Sequence, residues 1–136
     1  MYLVDTSVWV HAVRPAPAGN PRIQERLRPL ILAGKAAISE WIILELMTGV
    51  RSTETKEKLM VFLSPLPRLS VGPSGWERSW DLAVVLRRRG FSPSAANCLI
   101  AAVAMEHGVS LIHVNGDFVW MAKHSRLKST DWSSLL

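Results

Sequence analysis

The 136-residue sequence contains a single cysteine, Cys98, which excludes a disulfide framework and a cysteine-built zinc cluster and fits a reducing compartment. No apolar run comes near the roughly 18 residues needed to span a membrane, and the N-terminus lacks the basic start of a secretory signal. The four histidines, His11, His107, His113 and His124, show no zinc-ligand spacing. Repeats and low-complexity tracts are missing, and the length allows one domain with a real core rather than two. Acids are in short supply: 11 Asp and Glu stand against 16 Lys and Arg, a net charge of +5 that favours a polyanionic partner. Because acids are few, the place of each carries information.

What is present is the patterning of an α/β domain. Tyr2-Leu3-Val4 is a short apolar run stopped by Asp5-Thr6-Ser7, the pattern of a buried central parallel strand. Thr6 or Ser7 then caps a short helix through Val8, Trp9 and Val10, and 15–19 is a break rich in Pro and Ala. Helices are predicted over 21–33, stopped by Gly34, and over 40–50, capped by Ser39 and ended near Gly49. Further helices are predicted over 54–63, over 76–89 and over 93–107, the last with Pro93 at its first position and Gly108 at its end. A final helix covers 117–123. Strands are predicted at 36–38, 69–71 and 110–113, with a short terminal one at 127–129. Strands alternating with helices imply a three-layer α/β/α sandwich around a short, mostly parallel sheet, as a single domain over 1–136.

Glu25, Glu54, Glu57, Glu77, Asp81 and Glu106 lie beside basic or polar residues on helix faces, where solvation and weak i,i+4 pairing account for them. Asp5 is different. It ends the first strand, at the edge where open parallel sheets form ligand crevices, although capping the next helix would also suit it. Glu45 interrupts an apolar stripe of Ile42, Leu46 and Gly49, a costly place for a carboxylate unless it is paired or binds a cation. Asp117 follows the 110–113 strand on the same edge as Asp5, and capping of the last helix is its alternative role. Asn97 is the polar break in the apolar run Ala95-Ala96-Asn97-Cys98-Leu99-Ile100, where a buried amide needs partners. Three acids and an amide from four segments thus converge on one sheet edge. Gathered carboxylates repel one another unless a divalent cation sits among them, which points to Mg²⁺ or Mn²⁺ held by oxygen ligands.

Four blocks in this order resemble the PIN-domain ribonucleases, specifically the VapC toxins of prokaryotic toxin–antitoxin pairs. They are Leu3-Val4-Asp5-Thr6-Ser7-Val8-Trp9, Glu45 four residues before Gly49, Asn97-Cys98-Leu99-Ile100-Ala101-Ala102 with His107-Gly108, and His113-Val114-Asn115-Gly116-Asp117-Phe118. The resemblance spans essentially the whole chain. It implies a small cytoplasmic, Mg²⁺-dependent endoribonuclease, forming a homodimer and held inactive by a cognate VapB-like antitoxin. By the same resemblance Asp5 looks like the first metal ligand, Glu45 like the second acid, and Asp117 like the remaining one, with Thr6 and Ser7 as hydroxyls supporting Asp5. By the resemblance Asn97 stands where relatives carry a metal-binding Asp, and Asn115 where close relatives often carry Asp, although Asn occurs there in the wider family. An Asn carbonyl still ligates a hard cation, but as a neutral dipole it does so more weakly.

Arg87-Arg88-Arg89 suits both a helix C-terminus and RNA phosphate, and Arg14, Arg51 and Lys123 are further candidates for phosphate contact. His113 reads as a buried structural histidine. Trp41, Trp76 and Trp80 are expected in the core or at a dimer interface. Trp9, Val10 and Val13 with the second helix are expected to line a groove for an amphipathic antitoxin segment. Two functions remain open: metal-dependent cleavage of RNA, with DNA as a weaker alternative substrate, and a non-catalytic module that binds antitoxin or RNA.

Overall fold

The fold is taken from a computed structural model that describes residues 1–14 and 17–136. Its elements run β1 (Tyr2–Val4), α1 (Thr6–Val13), α2 (Pro21–Leu32), β2 (Ala36–Ala37), α3 (Glu40–Met47), α4 (Thr53–Leu63), α5 (Pro73–Arg88), α6 (Ala95–Glu106), β3 (Ser110–His113), α7 (Gly116–Lys123) and β4 (Ser129–Asp131), with a final 3₁₀ turn at Ser133–Leu135. The four strands form one parallel sheet in the order β2-β1-β3-β4. β1 is central, pairing Leu3 with Ala37 on one side and with Leu111 on the other, and both Leu3 and Val4 are fully buried. Covering both faces of such a strand requires a helical layer on each. The strand order reverses direction after β2. Right-handed crossovers therefore place α1 and α2 opposite α6 and α7, which makes the expected α/β/α sandwich.

The helices end where local chemistry ends them. Gly34 and Gly108 follow α2 and α6 with φ of 67° and 64°, the left-handed turn that favours glycine. α6 is the central helix: every residue from Cys98 to Ala104 is buried, which explains why it carries almost no polar side chain. Glu106, read as surface charge, lies instead over the start of α5. Its Oε1 accepts from the Ser74 hydroxyl at 2.6 Å, and a Cβ on Gly75 would fall 2.2 Å from its Oε2.

Several expected boundaries move, each for a physical reason. The predicted strand at 69–71 does not form. Ile38 takes a single parallel bridge with Arg68, after which Ser70 and the Val71 N–H turn to the Glu40 carboxylate at 2.9 and 3.2 Å. α6 starts at Ala95 and not at Pro93, because the Ser94 hydroxyl caps it by accepting from the Asn97 N–H. α5 begins at Pro73, earlier than 76, and α3 stops at Met47, short of 50. β4 covers Ser129–Asp131, not 127–129, because Leu127 is buried in the core before pairing begins. The expected break at 15–19 includes Pro15 and Ala16, which lie outside the described residues; Pro17 and Ala18 form a turn.

The tryptophans divide by place. Trp9 is fully buried and Trp132 is 5% exposed, so both belong to the core, whereas Trp76 and Trp80 are 47% and 58% exposed. Trp9→Ala should cost about 3–5 kcal/mol in chemical denaturation, and Leu32→Ala, on the surface of α2, should change stability by less than about 0.5 kcal/mol.

Candidate functional site

A crevice is expected where strand order reverses, at the C-terminal ends of β1 and β3. The chain leaves β1 through Asp5, which is 4% exposed and caps α1. Its Oδ2 accepts from the Ser7 N–H at 3.1 Å and from the Ser7 hydroxyl at 2.5 Å. The same hydroxyl accepts from the Val114 N–H at the end of β3, and the Asp5 N–H donates to the Ile112 carbonyl. One short segment therefore fixes a carboxylate between two adjacent strands.

The neighbouring Thr6 points elsewhere. Its hydroxyl donates to Glu45 Oε1 at 2.8 Å, joining the start of α1 to α3. Ser7 thus supports Asp5 as expected, whereas Thr6 serves Glu45. Burial raises the Asp5 carboxyl above its ordinary range, opposed by its hydrogen bonds from Ser7. Burial also raises Glu45, the Thr6 hydrogen bond opposes it, and the negative charge of Asp5 adds to the rise. Two carboxylates that repel each other in a half-dry crevice form a place prepared for positive charge.

On the other side, Asn115 caps α7 by accepting from the Asp117 N–H at 3.0 Å. The Asn97 amide, on the first turn of α6, donates to Asp117 Oδ2 at 3.4 Å, and its carbonyl oxygen makes no hydrogen bond among the described residues. His113 is fully buried, its Nδ1 accepting from the Asn115 N–H, and burial lowers its pKa, in keeping with a structural histidine. Asp5 with Glu45 and Asn97 with Asp117 are two linked pairs, joined through Ser7, Val114 and Asn115. Among the described residues no three His, Cys, Asp or Glu side chains gather to hold a cation by themselves. The donors are nevertheless all oxygens, the chemistry of a hard cation such as Mg²⁺ or Mn²⁺, with the Asn97 carbonyl the weakest of them.

The remaining expected residues are all exposed. Arg14 ends α1 and lines a groove that also contains Glu45, Arg51 lies between α3 and α4, Arg87, Arg88 and Arg89 close α5, and Lys123 ends α7. The groove of about 700 Å³ runs between α1, α3 and α4, lined by Val10, Val13, Leu46, Val50, Leu59 and Phe62. This corrects the expected position: Trp9 is in the core, and α4 rather than α2 forms the second wall. The signal for α4 was present in the sequence as Val61 and Phe62, large apolar side chains that remain exposed on a charged helix.

A raised carboxyl pKa means that the folded chain holds the proton more tightly than the unfolded one. That contribution to stability is complete at low pH and is lost as pH rises through the native value. Without a divalent cation, wild-type protein should therefore lose stability relative to Asp5→Asn as pH rises above about 4. Paired thermal melts in EDTA measure this difference, which includes the charge interactions of Asp5 with His113 and Glu45 that the substitution also removes. A difference that stays constant with pH would contradict a buried, raised Asp5.

The family model described as PIN domain matches residues 2–123. A VapC ribonuclease of Mycobacterium bovis, Mb1587, is 29% identical over 134 residues, covering 97% of this chain and 99% of its own. Ribonuclease VapC21 of Mycobacterium tuberculosis is 30% identical over 134 residues, covering 96% and 92%. Among solved structures, VapBC2 from Rickettsia felis, bound to a DNA fragment from its promoter, superposes with a TM-score of 0.79 at 24% identity, over 96% of this chain and 98% of that one.

Proposed function

This chain belongs to the PIN-domain family, and from that premise we propose that it is a VapC-like endoribonuclease toxin acting through the crevice of Asp5, Glu45, Asn97 and Asp117. The observation that carries this reading is the pair of carboxylates, Asp5 at the exit of β1 and Glu45 on α3, each held by a hydroxyl of the Thr6–Ser7 pair where the strand order reverses. Asp5 and Asp117, with the Asn97 carbonyl, are the proposed holders of Mg²⁺, for which Mn²⁺ is a substitute. When bound, the cation supplies a water of lowered pKa and stabilises charge developing at the scissile phosphate. The Ser7 hydrogen bonds oppose the effect of burial on Asp5, and the Thr6 hydroxyl holds one oxygen of Glu45. Arg14, Arg51, Arg87, Arg88, Arg89 and Lys123 are the proposed phosphate contacts.

Two protein partners follow from the same reading. The groove between α1, α3 and α4 is apolar along its walls and ends at Glu45, which suits an amphipathic segment of a VapB-like antitoxin that blocks the crevice as it binds. A second copy of the chain is the proposed cover for the tryptophan face. Trp76, Trp80 and Val84 form a stripe at i, i+4, i+8 on α5, all exposed, and beside them Trp41, Ala95 and Leu99 line an apolar cavity. A cytoplasmic location fits the toxin reading and its single buried thiol; among the described residues no helix is long and apolar enough to cross a membrane.

A second reading, a non-catalytic module that binds antitoxin or RNA, is favoured by one observation: among the described residues no three His, Cys, Asp or Glu side chains gather closely enough to hold a cation. The two readings separate cleanly. If the chain is a metal-dependent nuclease, Asn97→Asp should tighten Mn²⁺ binding about tenfold or more and raise RNA cleavage, and Asp5→Ala should abolish both. Cellular RNA left intact by folded Asn97→Asp protein in Mg²⁺ sinks the nuclease reading. RNA or antitoxin binding indifferent to EDTA and to Asp5→Ala would support the second.

For the tryptophan face, light scattering should show wild-type protein at twice the mass of folded Trp80→Glu protein. A wild-type monomer at micromolar concentration removes the proposed interface.

A further inference from the structure

Outside the crevice, the most unusual side-chain cluster is a run of three aromatic rings. Phe91 lies 4.2 Å from Trp120 with the planes 38° apart, and Trp120 lies 4.1 Å from His124 at 34°. Both pairs are close and tilted, neither face to face nor edge-on. The core pair Trp9 and Phe62 takes another geometry, edge to face at 81° and 6.1 Å. Each ring of the run is half-buried: Phe91 and Trp120 rest against the core, while the run as a whole stays open to solvent.

Charged side chains of both signs lie around it: Arg87 and Arg88 end α5 and Lys123 ends α7, while Glu77, Arg78, Asp81 and Arg126 share a cavity with His124. The Arg87 guanidinium donates to the Ser92 hydroxyl at 2.5 Å, next to Phe91, and Arg88 lies beside it at the end of α5. Lys123 precedes His124 on α7. None of these three makes an ion pair among the described residues, where the pair found is Lys58 with Glu54. The run also starts at the crevice. Asp117 and Trp120 fall at i and i+3 on one face of α7, with His124 capping its end, and the rise from Asp117 to Trp120 is only about 4.5 Å along the axis. Phe91 is held to the end of α5 by its N–H to the Leu86 carbonyl, in the loop that leads into the helix of Asn97.

We propose that Phe91, Trp120 and His124, with Arg87, Arg88 and Lys123, form a single-stranded RNA subsite that leads away from the acidic crevice. Bases adjoining the scissile phosphate stack on the rings, which every base can do because every base has a π face, and the cations hold the phosphates between them. The division of charge suits this. The phosphate at the crevice meets carboxylates and needs a cation there, whereas its neighbours meet Arg and Lys directly. This inference rests on the ribonuclease reading above for its choice of ligand.

The test is fluorescence anisotropy of a labelled, mixed-sequence, single-stranded RNA 12-mer with the full chain in EDTA, where binding is separated from cleavage. His124→Ala and Phe91→Leu, each checked for an unchanged melting temperature, should weaken binding about five- to tenfold. Arg88→Gln should lower the slope of log affinity against log salt by about 0.7. If Phe91→Leu does not fold, His124→Ala decides. Binding within about twofold of wild type in the ring variants overturns the subsite, as does a wild-type protein that does not bind the RNA at all. Cleavage of the same RNA by Asn97→Asp protein in Mg²⁺ is read separately. Ring-dependent binding without cleavage keeps the subsite and removes the nuclease reading, and cleavage with ring-independent binding does the reverse.

Discussion

The Ser7 hydroxyl accepts from the Val114 N–H and donates to the Asp5 carboxylate, and this one bridge sets the geometry of the whole crevice. A carboxylate at the end of a fully buried strand is expensive to desolvate, and burial pulls its pKa upward. Two donors from the next turn of the same chain, each a charge-assisted hydrogen bond, offset part of that cost and keep the oxygen directed to one place. Because the bridge reaches β3, it also fixes the loop that carries Asn115 and Asp117. The site is therefore built into the packing of the sheet, and flexible loops contribute little to it.

Parallel topology does the rest. Every strand points the same way, so every strand exit lies on one edge, and helices that return to the opposite edge start there. This is how α6 brings Asn97, and α7 brings Asp117, to the exit of β1. The loop 89–94 likewise joins the end of α5, with its exposed Arg87 and Arg88, to the start of α6. Exposed arginines thus end the helix that precedes the one carrying Asn97.

Asn97 changes the balance of that centre. Asp at this position would bring a third carboxylate to Asp5 and Asp117, and mutual repulsion would then be relieved only by a cation. With Asn, the amide donates to Asp117 Oδ2 at 3.4 Å in place of that repulsion. The net charge of +5 is the difference of 16 basic and 11 acidic residues, and Asn97 adds no charge to it. It is weaker evidence for nucleic-acid binding than the count of basic residues alone would make it, and the location of the cations is stronger evidence.

The sequence alone was enough to read the alternation of strands and helices, the isolation of Asp5 at a buried strand end, Glu45 in an apolar stripe and Asn97 in an apolar helix. Each is a local contradiction between polarity and periodicity, and such contradictions are visible in one dimension. The tertiary structure decided which partner resolves each one. Thr6 turns to Glu45 and Ser7 to Asp5, a choice set by side-chain direction at the first turn of α1. The groove wall came from α4, because an amphipathic helix shows that it has an apolar face but not what that face meets. The strand expected at 69–71 was lost to Glu40, a carboxylate thirty residues earlier that took the Val71 N–H a ladder would have used. The contact of Phe91 with Trp120 joins residues from two helices' ends, and no spacing in the chain announces it. Periodicity determines what a segment must bury; only the assembled fold determines which neighbour buries it.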